Sequence, residues 1–133
     1  MKSIFLALVL VSFGAHAAED ADNSPCDAVE NDQQTLECAT YSKNTAEQLL
    51  KENFDALLDR VKTQYANDKA QAADISAKLQ AAQQLWIKSR DADCAIAPLP
   101  AKPGSKPFTI DQYDCLASKS DERSEFLESI AQE

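Results

Sequence analysis

From Gln33 to Ala66 the chain runs without glycine or proline while apolar residues return at every third or fourth position. That period places them on one side of an α-helix and on no single side of a strand. Leu36, Ala39, Ala46, Leu50, Phe54, Leu57, Val61 and Tyr65 form the stripe, Leu49 and Leu58 widen it, and Lys43 fills its one polar slot. A helix striped in this way needs other elements to cover the stripe. Asn67-Asp68-Lys69 breaks the run. Asp68, three residues ahead of Gln71, has the layout of a capping box with an Asp N-cap, so a second helix starts there. Its stripe is Ala72, Ile75, Leu79, Ala82, Trp86 and Arg90, with Leu85 and Ile87 flanking and Cys94 near its end. Two long helices joined by so short a turn lie antiparallel, which brings Cys38 close to Cys94.

Ala97 to Phe108 (APLPAKPGSKPF) holds four prolines, Gly104, Lys102 and Lys106, and no acid. Proline removes backbone donors and biases its predecessor towards extended geometry, so this stretch reads as loop. Thr109, three residues ahead of Gln112, offers a capping box for a third helix. Ile110, Tyr113, Leu116, Phe126 or Leu127, and Ile130 would supply its apolar face, with Lys119 and Arg123 between them. The fold class expected is therefore all-α: a long antiparallel helical hairpin plus a third, C-terminal helix.

The N-terminus reads differently. Met1-Lys2-Ser3 is a short basic region, Ile4 to Gly14 a dense apolar run, and Ala15-His16-Ala17 an A-x-A cleavage site. Residues 1–17 have the layout of a cleavable signal peptide, residues 18–25 should be a disordered acidic terminus, and residues 26–131 one helical domain. The apolar run is shorter than the roughly 20 residues that span a bilayer, so no membrane span is expected. No cysteine stands at the cleavage site to carry a lipid, which makes the protein periplasmic or secreted. Cleavage would leave 116 of the 133 residues, with twelve bases against 22 acids and a net charge of −10. Such a chain repels nucleic acid and attracts cationic partners. It also loses His16, its one histidine, and with it imidazole bases, histidine metal ligands and Ser–His or Cys–His nucleophiles. No cofactor and no metal site is expected. A glycosidase-type carboxylate pair needs a concave cleft between its acids, which a small three-helix domain offers little of. The reading is a binding protein and no enzyme.

Four cysteines in an exported chain read as two disulfides. The spacings of 12, 56 and 21 residues contain no C-x-x-C, which redox pairs and thiolate metal sites usually need. The sequential pairing Cys26–Cys38 with Cys94–Cys115 closes the shortest loops. The rival Cys38–Cys94 would clamp the open end of the hairpin.

Gln83, Trp86 and Arg90 share one face of the second helix. Trp86 is expected to pack in the hairpin core. Arg90 cannot be buried unpaired, and Asp121, Glu122 or Glu125 of the third helix, or carbonyls at a helix end, are its expected partners. Asp91 and Asp93 sit unfavourably near a helix C-terminus, which reads either as solvated charge or as a cation or partner contact. Asp111, Asp114, Asp121, Glu122, Glu125 and Glu128 extend an acidic face along the third helix, either a solvated face or a footprint for a basic protein. In the proline loop, Lys102, Ser105 and Lys106 are the candidate partner contacts, since a stiffened loop loses little entropy on docking.

Ala82-Gln83, Trp86-Ile87 and Arg90-Asp91-Ala92-Asp93-Cys94, followed by Gly104-Ser105, Cys115 and Arg123 four residues ahead of Leu127, form a recognisable run. With Cys26 and Cys38 upstream, the chain resembles the LprI-like lysozyme-inhibitor family of bacterial exported proteins. Lys51, Phe54 and Ser120 stand where an asparagine, a tyrosine and a threonine are usual. The resemblance implies a small, helical, disulfide-held envelope domain, some of whose relatives inhibit lysozyme. Lysozyme, or another basic protein, is the partner so implied. The alternative is a non-inhibitory envelope protein whose acidic surface binds a different cationic partner.

Overall fold

A computed structural model describes residues 24–132; the expected signal peptide, residues 1–17, and residues 18–23 of the expected acidic terminus lie outside the described residues. Three helices make up the fold, α1 (Asp32–Gln64), α2 (Lys69–Ile96) and α3 (Lys106–Ser129), and no strand occurs among the described residues. Asn31 caps α1, its side-chain oxygen accepting from the backbone N–H of Gln33 and Gln34. Asp68 caps α2 as its sequence position predicts, accepting from the Gln71 N–H at 2.9 Å.

The start of α3 differs from the expectation. Its N-cap is Ser105, whose Oγ accepts from the Phe108 N–H at 3.3 Å, so residues 106–108 are helical and Thr109 lies inside the helix. Pro107 does not prevent this, because the first-turn N–H groups have no intrahelical acceptor to lose. Thr109 turns its hydroxyl back onto the Ser105 carbonyl. The true loop is therefore Ala97–Ser105. Gly104 adopts φ +81° there, a left-handed conformation that glycine takes without strain.

The helices form an up-down-up bundle. Along α1 and α3 the cross-contacts advance together, from Lys43 over Tyr113, through Asn53 beside Ser124, to Gln64 beside Ala131, so these helices run parallel. Antiparallel α2 meets both, with Arg90 reaching Glu47 on one side and Ser120 on the other. The closest pair is α1–α3, and not the α1–α2 hairpin on which the sequence pattern centres. Buried Ala39 and Ala46 on α1, and Ala117, Ser120 and Ser124 on α3, are small enough to let the two backbones approach. Phe54, Ile75, Leu79 and Trp86 are bulky and fill the wider space beside α2.

Leu50, Leu57, Val61 and Leu127 are the buried heart of the core. Leu127, at 1% exposed, settles the α3 face against Phe126, at 53%. On α2, Ile75, Leu79 and Trp86 pack against the core as expected and Gln83 is buried beside them, whereas Ala82 and the flanking Leu85 are exposed. Arg60 and Gln64 of α1 donate to the carbonyls of Leu127, Ile130 and Ala131, satisfying the end of α3 from a neighbouring helix. The disulfides are Cys26–Cys38 and Cys94–Cys115. The first ties the N-terminal arm to α1, and the second joins the end of α2 to α3 across the proline loop.

Candidate functional site

The sequence motif converges at one place, the seam where α2 faces α3. Positions 83, 86 and 90 fall on one side of α2, and Arg123 comes to them from α3. The Trp86 ring is half-buried, with the Arg90 guanidinium 5.3 Å and the Arg123 guanidinium 5.5 Å from its centroid. Buried Gln83 accepts the Arg123 Nε–H at 3.1 Å.

Arg90 is paired, but not to the carboxylates expected. Its Nη1 lies 3.2 Å from Glu47 of α1 and donates to the Ser120 hydroxyl at 3.1 Å, while Nε and Nη2 both meet Asp91 Oδ1, at 2.9 and 2.8 Å. Asp121 and Glu125 are exposed on the side of α3 turned from this crossing, where fully buried Ser120 faces Arg90, and Glu122 is exposed beside Trp86 without pairing to Arg90. Glu47 also holds Lys43 at 3.2 Å, and Lys43 stands over the Tyr113 ring. The network thus links all three helices. Glu47 was missed by sequence reasoning; its signal is the i, i+4 spacing from Lys43, the lone polar member of the α1 stripe.

Asp91 and Asp93 each find a cation within the molecule, Arg90 and Lys119 respectively, the latter at 3.1 Å. Neither carboxylate stands as an isolated solvated charge. Arg123 differs from Arg90. Among the described residues it has no carboxylate partner, and burial lowers its pKa below the ordinary arginine value. The Phe126 ring centroid lies 5.1 Å from the same guanidinium.

Two further regions carry the remaining candidates. Lys102 is exposed in the proline loop, and Lys106, expected there too, is exposed as the first residue of α3. Ser105 has its hydroxyl engaged, donating to the Lys102 carbonyl at 2.7 Å while capping α3. On α3, Asp111, Asp114, Asp121, Glu125 and Glu128 fall within an arc of about 100° at 100° per residue. All five are exposed and none forms an ion pair among the described residues. Burial, and then the neighbouring Asp111 charge, raise the Asp114 pKa above its ordinary value. Glu122 lies at the edge of this arc nearest α2. No group of three or more metal-ligating side chains occurs among the described residues, and no described helix is long and apolar enough to cross a membrane.

Residues 26–127 match the family model described as "Lysozyme inhibitor LprI". The chain is also similar to a solved structure, a DUF1311 family protein from Pseudomonas putida KT2440. The two are 36% identical with a TM-score of 0.70, over 80% of this chain and 99% of that one. No curated protein matches the chain.

Proposed function

The chain belongs to the LprI lysozyme-inhibitor family, and on that premise we propose that it is a periplasmic or secreted binding protein that recognises a cationic lysozyme through the acidic face of α3. The observation that carries the reading is that face itself, five exposed carboxylates on one side of a rigid helix with no cation paired to them among the described residues. Such a surface attracts a basic partner and orients its approach. Two disulfides fit an oxidising compartment outside the cytoplasm. They also occupy all four cysteines, and the described residues include no histidine, so a non-catalytic role fits the side chains available.

Within this reading the proline loop supplies the local contact. Lys102 and Lys106 can meet the two carboxylates of a glycosidase cleft, while the capping role of Ser105 leaves its hydroxyl to shape the loop. The test is lysozyme turnover in the presence of the purified, oxidised protein across a salt series. Inhibition is expected at low ionic strength and should weaken as added salt shortens the screening length. Absence of inhibition at low salt with micromolar excess of protein refutes the lysozyme assignment and leaves another cationic partner as the occupant of the same face.

A further inference from the structure

Between α2 and α3 lies a groove of about 250 Å³ lined by Trp86, Lys119, Glu122, Arg123 and Phe126. Its chemistry is unlike the rest of this acidic surface. The Arg123 guanidinium lies against two rings, 5.5 Å from the Trp86 centroid and 5.1 Å from that of Phe126. Only its Nε is hydrogen-bonded among the described residues, to Gln83, so the paired terminal nitrogens are left for another acceptor. A planar guanidinium fixed in this way loses little freedom on binding and matches a carboxylate through two parallel hydrogen bonds.

We propose that this groove binds the α-carboxylate of an amino-acid-type ligand, with Arg123 gripping the carboxylate and the half-exposed Phe126 ring receiving an apolar side chain. Three features select this class. Lys119 is already held by Asp93 at 3.1 Å, and Glu122 stands unpaired at the rim, so the groove is close to neutral overall and disfavours a dianion such as phosphate. A zwitterion satisfies it completely, since an α-ammonium meets Glu122 while the carboxylate meets Arg123. The volume is below the roughly 300 Å³ at which sites for drug-sized ligands begin, which suits a single residue or a chain end. The groove lies off the acidic arc of α3, and its occupancy does not depend on the lysozyme reading.

Trp86 is the single tryptophan of the chain, so its fluorescence reports on the groove directly. The protein is titrated with phenylalanine, N-acetylphenylalanine and phenylalanine methyl ester. Both free carboxylates should give a saturable change at millimolar concentration, and the ester none. Free phenylalanine should bind several-fold more tightly than its acetylated form, with Glu122→Gln abolishing the difference; equal binding of the two would assign the groove to a peptide terminus, which shares the carboxylate chemistry. Arg123→Lys, which keeps the charge but loses the fork, should weaken binding by about tenfold, the equivalent of one charge-assisted hydrogen bond. An ester that binds as well as the acid, or the absence of any saturable response, overturns the proposal. Both of those outcomes are read on the unaltered protein, so a folding defect in a variant cannot mask them.

Discussion

Arg90 and Arg123 flank the same indole, and their surroundings assign them different work. Arg90 is spent inside the fold on Glu47, Asp91 and Ser120. Arg90→Ala should therefore lower stability by about 1.5–3 kcal/mol, the range for hydrogen bonds to a charged group, measured by urea unfolding. A cycle with Glu47→Ala should return a coupling that a screened surface pair would not. An unchanged melting temperature with loss of partner binding would transfer Arg90 to the binding surface. The Arg90–Trp86 association was legible because both sit on one helical face. The choice of Glu47 was not, because several acids lie within reach of a guanidinium and only the azimuth of α3 decides among them. Asp114 makes a separate, pH-dependent case. Its folded pKa is raised, so folding favours its protonated form, and its ionisation erodes stability as pH rises from about 3.8 through the raised value. Asp114→Asn should raise the melting temperature at neutral pH and have no such effect below that window, as a pair of thermal melts at pH 3 and pH 7 would show.

At the scale of elements, the three helices were written into the spacing of apolar residues, and both the α1 run and the Asp68 cap are where the pattern puts them. Helix α3 starts four residues before the expected Thr109 cap, at Ser105, with a proline between the two. A proline count argues for loop, yet Pro107 falls in the first turn, where its missing N–H costs nothing. Ser105→Ala should lower stability by about 1 kcal/mol through loss of the cap, whereas Thr109→Val should change it little. Chemical denaturation of the two variants distinguishes them, and the reverse order would place the functional helix start at Thr109. On α2 the expected stripe holds at Ile75, Leu79 and Trp86, which pack against the core, and departs from it at position 82. Gln83, not Ala82, turns inward, since a buried amide with a guanidinium to accept is as well satisfied as an apolar side chain.

For the whole molecule, the unforeseen feature is that α1 and α3 are the intimate pair. Apolar periodicity marks Ala46 on the α1 stripe but is silent about a seam whose α3 side includes buried Ser124, bonded to Asn53 of α1. That seam fixes how α3 is rotated, and hence which carboxylates point to solvent as a group. The family assignment makes lysozyme the partner to test against this face, and the charge layout says how the test should come out. Reversing Asp121 and Glu125 to lysine changes the face by four charge units without touching the core, the disulfides or the Trp86 groove. If long-range attraction guides the encounter, association with lysozyme should slow by about tenfold or more at low salt, and the deficit should vanish near 1 M salt, where screening acts within about 3 Å. Replacing Lys102 and Lys106 by alanine should instead hasten dissociation and leave the salt slope of association nearly unchanged, because those lysines act only at contact. Stopped-flow kinetics on the two variants separates the effects. A charge-reversed face that associates as fast as the native one would mean that lysozyme docks elsewhere on the bundle, however good an inhibitor the protein proved to be.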